Sequence, residues 1–195
     1  PFYKDNDTPK PNIDYVLSAT KSIAPFIKSG DLIILESTSP VGTTEKIQQT
    51  LINCGKNLED VHLAYCPERV LPGNVLRELV ENDRIIGGIT FRCAEEAVKI
   101  YNVFVKGDCL ITDCRTAELS KLVENAFRDV NIAFANELSL ISDKLEINVW
   151  ELIRLANRHP RVNILQPGPG VGGHCIAVDP WFIINSAPDE AKLIH

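Results

Sequence analysis

The first 113 residues alternate short apolar runs with amphipathic stretches. Leu32-Ile-Ile-Leu35, Val61-His-Leu-Ala-Tyr65, Arg84-Ile-Ile-Gly-Gly-Ile89 and Cys109-Leu-Ile-Thr112 are runs of the kind found in buried strands of parallel sheets. Helical patterns fall between and before them. One is capped by Asn12 or Asp14, runs through Ile27 and is closed by Gly30. Another starts at Thr43-Thr-Glu-Lys-Ile47 and stops at Gly55, and a third covers Cys93 to Val105. The β/α alternation predicts an open parallel sheet, or half of one. The opening PFYKDNDTPKP reads as a loop.

Beyond Cys114 the period changes. From Thr116 to about Leu145 no glycine or proline interrupts one long helical pattern. Leu119, Leu122, Val123, Ala126, Phe127, Val130, Ala133, Phe134 and Leu138 recur mostly at steps of three and four. A second helix, capped by Asn148, is predicted from Val149 to about Asn157, before Pro160. A Gly/Pro-rich stretch follows, and Pro188 is expected to open a last helix. The change of pattern places a boundary near residues 112–116 and divides the chain into 1–113 and 114–195. No internal repeat or low-complexity tract is present.

Composition narrows the function classes. The chain is 195 residues long, 45% apolar and 24% charged, an ordinary balance for a globular chain with a substantial core. A net charge of −6 argues against broad binding to nucleic acid or an anionic membrane, while leaving room for a local basic pocket. No apolar run reaches the roughly 18 residues of a spanning helix. The six cysteines (54, 66, 93, 109, 114, 175) form no C-x-x-C pair, which disfavours a disulfide scaffold or zinc ribbon and suits a reducing cytoplasm. The chain has no methionine, so it reads as a piece of a longer protein.

The segment QPGPGVGGHCIAVDPW, residues 166–181, contains a literal Gly-x-Gly-x-x-Gly at Gly168, Gly170 and Gly173. That fingerprint binds a dinucleotide only as a strand-to-helix turn, and here the strand before it is poor and Pro180 follows closely. His174 and Cys175 are adjacent and lack partners at metal-site spacing, so no metal is expected. Cys175 is left as a nucleophilic thiol or a buried inert one, with Asp179 four residues on. Lys121, Asn125 and Arg128 form one polar stripe on the long helix, either a solvated face or a grip for an oxyanion and an anionic substrate. Tyr65-Cys-Pro-Glu68-Arg69-Val70 and Glu36-Ser-Thr38-Ser-Pro-Val-Gly42 both follow predicted strands, at the edge where open α/β sheets bind ligands. His159-Pro-Arg161 reads as helix C-terminal capping or as another anion grip.

Together, STSPVG, CPERVLPGN, AELSKLVENAFRDVNIAFANEL and GVGGHCIAVDP resemble the NAD-dependent UDP-glucose/GDP-mannose 6-dehydrogenases across essentially the whole chain. NRHPRVNILQPGPGVGGHCIAVDPWF is similar to the branch acting on UDP-N-acetylhexosamines, with UDP-N-acetyl-D-mannosamine the expected sugar and its C2 epimer UDP-N-acetyl-D-glucosamine the alternative. The resemblance implies the second half of a Rossmann-like NAD-binding sheet over 1–113 and a helical central region over 114–195, with a homodimer through the long helix. The glycine-rich NAD fingerprint and a UDP-binding domain would then lie outside this chain.

The resemblance further implies a four-electron oxidation of a sugar C6 alcohol with NAD, through a thiol adduct on Cys175. Lys121 matches the acid/base and oxyanion partner, a cation that would also depress the thiol pKa, and Asn125 a second oxyanion donor. Glu68 matches the residue that handles protons in thioester hydrolysis. Thr38 is expected to hold water and touch NAD, and Asp179 to orient Lys121 or the water. Arg69, Val70, Arg128, His159, Arg161 and Gly172 match substrate-contacting positions, with Arg161 able to serve the partner subunit. Where glucose-type relatives carry a second glutamate, this chain has Pro72 followed by Gly73, which favours a different rim to the sugar pocket.

Overall fold

The computed structural model describes residue 2, residues 9–70 and residues 73–194. Pro72 and most of the expected N-terminal loop lie outside the described residues. The chain divides into two compact units, Pro1–Leu122 and Val123–His195.

The first unit is a four-stranded sheet with helices on both faces. Its strands are β1 (Leu32–Leu35), β2 (His62–Tyr65), β3 (Arg84–Gly88) and β4 (Cys109–Asp113), adjacent in that order. Its helices are α1 (Asp14–Ile23), α2 (Thr43–Asn53), α3 (Val75–Glu81), α4 (Phe91–Tyr101) and the start of α5 (Cys114–Lys144). Alternation along β2 explains the two layers of core. Leu63 packs with Ala24, Ile47 and Leu51 on one face, and Ala64 packs with Ile86, Ala94, Ala97 and Tyr101 on the other.

Two of the three ladders are parallel, β1 with β2 and β3 with β4. The pairing of β2 with β3 departs from the expected parallel order, because Ala64 faces Gly88 and Tyr65 faces Gly87 in antiparallel register. A parallel return needs a crossover element packed on the sheet. The segment between these strands carries only α3, none of whose residues is fully buried, so the chain turns back beside β2. The sequence pattern did not reveal α3, whose seven residues are too few to show a clear period.

Helix ends follow local chemistry. Pro25 converts the end of α1 into a 3-10 turn, Ala24–Phe26, so the helix stops earlier than its apolar pattern suggests. Asn12 bonds the Asp14 N–H at 2.8 Å, but the capping position is Ile13, with no side-chain cap. The α4 helix starts at Phe91 rather than Cys93, because Thr90 accepts from the Cys93 N–H. Asp113 caps α5 through the Thr116 N–H at 2.9 Å and the Thr116 hydroxyl at 2.6 Å. Gly87 admits this helix. A Cβ there would stand 2.7 Å from the Ala117 Cβ and from the Cys114 Cα.

The second unit contains the rest of α5, then α6 (Val149–Ala156) and α7 (Asp179–Ser186). Asn148 caps α6 as expected, accepting from Trp150 and Glu151 N–H groups. The α7 helix was not among the sequence expectations, where Pro180 counted only against a long helix directly after Gly173. Proline occupies the first turn, where no N–H partner is needed. The helix expected from Pro188 is absent. Residues 188–194 form turns, with one α-type bond from Ala191 N to Ala187 O, too little to propagate a helix.

Candidate functional site

In the first unit, β1 and β2 end side by side, with Leu35 opposite Tyr65. The loops leaving them carry Thr38 and Glu68. The first loop is stiffened from within. Buried Ser39 donates to the Ser37 carbonyl at 3.0 Å, and the Thr43 hydroxyl donates to the Pro40 carbonyl at 2.6 Å. Thr38 is half-buried on that loop. The Glu68 N–H donates to the Glu36 carbonyl at 3.4 Å, which ties the two loops together. Glu36 in turn accepts from the Tyr101 hydroxyl at 2.6 Å.

The Glu68 side chain is 41% exposed and accepts the Arg69 N–H at 2.7 Å. Arg84 lies beside it with its side chain only 2% exposed, one guanidinium nitrogen 3.4 and 3.5 Å from the two carboxylate oxygens. Arg69 is half-buried and donates to the Asp83 carbonyl at 3.3 Å, while Val70 is half-buried next to it. The interior thiols nearby are inert: burial pushes Cys66 up to about 11, and does the same to Cys114.

In the second unit the Gly/Pro segment is fastened to one face of α5. Asn136 accepts the Gly168 N–H at 2.8 Å, and Asn125 donates to the Asp179 carboxylate at 2.6 Å. The two asparagines are about three helical turns apart, hence on one face. Asp179 is 4% exposed at the start of α7, and its N–H bonds the Cys175 carbonyl at 2.9 Å. Cys175, Asp179 and Asn125 are therefore linked through two hydrogen bonds. The Cys175 side chain is exposed, which removes the reading of a buried inert thiol. Asp179 holds Asn125 here, a partner that the sequence did not suggest.

Gly170 and Gly173 have φ of +95° and +80°, which explains glycine at both. Gly168 and Gly172 have neither such a φ nor a neighbour within 4 Å of a built Cβ. The segment is no strand-to-helix phosphate turn, since turns separate it from α7. His159 and Arg161 are exposed, with the Arg161 N–H donating to His159 Nδ1 at 3.3 Å. Lys121 and Asn125 are half-buried and Arg128 is exposed, on successive turns of α5. No group of three or more His, Cys, Asp or Glu among the described residues is arranged to hold a metal.

Sequence reasoning missed four supporting residues. Arg84 reads as the polar start of a strand. Glu118 is fully buried, accepting the Gly42 and Thr44 N–H groups and the Thr44 hydroxyl, although it reads as a charge on a helix surface. Asn157 brackets Ile164, donating to its carbonyl at 2.9 Å and accepting its N–H at 2.8 Å. Asn136 has the same plain polar look. The one available signal was Glu118 interrupting an apolar stripe.

The sheet flanked by helices and the helical region that follows it have the architecture of a Rossmann-like dehydrogenase chain. The chain belongs to the UDP-glucose/GDP-mannose dehydrogenase family. Residues 1–105 match the family's NAD binding domain and residues 115–194 its central domain. The UDP-N-acetyl-D-mannosamine dehydrogenase of Campylobacter jejuni is 62% identical over 100% of this chain and 49% of its own length. An NDP-N-acetyl-D-galactosaminuronic acid dehydrogenase of Ralstonia solanacearum is 61% identical, over 100% of this chain and 48% of its own. The solved UDP-D-ManNAc dehydrogenase of Pyrococcus horikoshii superposes with a TM-score of 0.90 at 47% identity, covering 95% of this chain and 45% of that one. The chain spans about half the length of the curated relatives it matches.

Proposed function

We propose that these 195 residues form the middle of a cytoplasmic NAD-dependent dehydrogenase that oxidises the C6 alcohol of UDP-N-acetyl-D-mannosamine to the carboxylate. Its product would supply surface polysaccharide synthesis. The exposed Cys175, held to Asn125 through Asp179, is the observation that carries this reading. The family match and the name of the Campylobacter relative support it. The Ralstonia relative, equally similar, is named for a galactosaminuronate, so identity alone does not choose the sugar. Six free cysteines suit the reducing cytoplasm. The functional division falls between 113 and 114, where β4 ends and α5 begins.

NAD+ supplies the hydride acceptor for each of the two oxidations. The cofactor's glycine fingerprint is not in this chain, but the loop after β1 fits part of such a site. Thr38 is half-buried at the strand's carboxyl end, on a loop stiffened by Ser39 and Thr43, and would touch the cofactor and a water.

The chain's own residues do the rest. Lys121 takes the C6 hydroxyl proton and then stabilises the oxyanion. The Cys175 thiolate adds to the aldehyde carbon, and the resulting thiohemiacetal is oxidised to a thioester. Asn125 has two amide N–H groups. Asp179 fixes one, and the other stabilises the developing oxyanion. Water then adds to the thioester carbon, its proton passes to Glu68, and the carbon–sulfur bond breaks to return the thiolate. Arg69, Val70, Arg128, His159, Arg161 and Gly172 contact the nucleotide sugar, where guanidinium groups suit the pyrophosphate. Gly172 suits this role because no neighbour among the described residues comes within 4 Å of a Cβ built on it.

The reading also includes a homodimer through α5. Val123, Phe127, Phe134 and Ile141 lie on this helix with exposures of 48%, 69%, 51% and 46%. A second copy of the same apolar stripe is the simplest cover for it.

The test supplies the full-length protein with NAD+ and each of four nucleotide sugars: UDP-N-acetylmannosamine, UDP-N-acetylglucosamine, UDP-N-acetylgalactosamine and UDP-glucose. NADH formed per sugar consumed is counted. About two NADH per UDP-N-acetylmannosamine is expected from a four-electron oxidation, and Cys175→Ser is expected to form no acid. Preference for another sugar overturns the substrate, and normal acid formation by Cys175→Ser overturns the thiol mechanism. Residues 1–195 alone are expected to be inactive.

A further inference from the structure

We propose that Arg84 is a positioning residue for the hydrolytic half of the reaction, holding the Glu68 carboxylate in the orientation that accepts the proton of the attacking water. The inference rests on the function proposed above.

The antiparallel turn-back of the sheet creates the pair. Tyr65 of β2 faces Gly87 of β3. Continuing that register brings Glu68, three residues past Tyr65, level with Arg84, three residues before Gly87. In a parallel ladder Arg84 would start at the opposite end of the sheet. The single departure from parallel order thus delivers a guanidinium to the loop that carries Glu68.

Arg84 is itself held on several sides. It donates to the Leu79 carbonyl at 2.9 Å, and its guanidinium lies 5.5 Å from the centre of the Tyr101 ring. Tyr101 is fixed by its hydroxyl bond to Glu36. A guanidinium 2% exposed is costly to bury without an anionic partner, and Glu68 is the carboxylate paired with it. Its Nε is buried with no hydrogen-bond partner among the described residues, so the group is placed for its contact with Glu68 rather than for full internal satisfaction. One terminal nitrogen, Nη1, lies 3.5 and 3.4 Å from the two carboxylate oxygens, while the other, Nη2, is anchored on the Leu79 carbonyl, so the rigid planar group holds Nη1 at a fixed place between both oxygens. Glu68 meanwhile remains open to solvent on its other side, where a water can approach.

The step served is hydrolysis only. Water oxygen bonds to the thioester carbon, the carbon–sulfur bond breaks, the thiolate leaves, and one water proton goes to Glu68. No redox change occurs. Misaligning Glu68 should therefore leave both hydride transfers intact and stall the acyl-enzyme.

The experiment compares full-length wild type with Arg84→Lys and Arg84→Met, using NAD+ and the best sugar from the screen above. Lysine keeps the charge and loses the rigid plane that joins the Leu79 anchor to the Glu68 contact, so it carries the test if the methionine variant does not fold. The expected result is a first burst of about two NADH per active site at near wild-type rate, then turnover slowed roughly 10- to 100-fold. Intact mass spectrometry should show the uronyl thioester accumulating on Cys175. Folded Arg84→Lys with no burst and no adduct, or with wild-type steady-state turnover, overturns the proposal. A uniform slowing of all steps does so too, because it marks a structural role. If wild type itself forms no NADH from any nucleotide sugar, the proposed function fails and this inference falls with it.

Discussion

Reactivity differs among the thiols because their surroundings differ. Cys66 and Cys114 sit in the core, where burial pushes each up to about 11, so well under about 1% is thiolate at pH 8. Cys54 and Cys175 are exposed. Iodoacetamide at pH 8, followed by peptide mass spectrometry, should label Cys54 and Cys175 first and leave Cys66 and Cys114 largely intact. Raising the pH toward 11 should narrow the gap. Early labelling of Cys66 would contradict the burial that the structure gives it. Single residues also show what a sequence conceals. Cys175 stood out because it follows a glycine loop, whereas Glu118 looked like any helix charge. Only folding put Glu118 against the first N–H groups of α2.

At the scale of elements, α2 and α5 are joined at two levels. Arg115 makes a two-bond pair with Glu45 on the surface, at 2.8 and 2.7 Å. The Glu118 carboxylate binds the α2 N-terminus beneath it, where the helix dipole favours an anion. In Glu118→Gln the amide nitrogen must face an N–H donor, whichever way the side chain is turned. The variant of residues 1–195 should lose about 1–3 kcal/mol by urea unfolding, the usual penalty of an unsatisfied buried polar group. An unchanged midpoint would show that α2 and α5 are held by packing alone.

Asp113 gives the pH-dependent case. Hydrogen bonds from Thr116 hold its carboxyl below the ordinary 3.8, so its contribution is present above that value and lost as pH falls through the folded value. Asp113→Ala should cost about 0.5–2 kcal/mol near neutral pH, and the difference from wild type should shrink in acid. A difference that stayed constant from pH 7 to pH 2 would rule out the ionised cap. These helices were legible because caps and apolar periods are local. The antiparallel return of β3 was not, because strand direction depends on what covers the sheet.

For the whole molecule, the exposed apolar stripe of α5 leads to an assembly prediction. Residues 1–195 should sediment as a dimer, and Phe127→Glu should shift them to monomer while leaving helix content unchanged. A monomeric wild type would remove α5 as the interface. The sequence by itself determined the element order over most of the chain, the change of character near residue 114, and the four motifs that carry the family. Those features are written in nearest-neighbour chemistry and short periods, which survive without knowledge of the partner surface. Only the tertiary structure decided that β3 runs against β2, that Arg84 therefore meets Glu68, that Glu118 is a buried carboxyl group bonded to the start of α2, and that Asp179 holds Asn125. Each of these joins residues far apart in the chain, and their meeting depends on strand direction and helix packing, which no local pattern encodes.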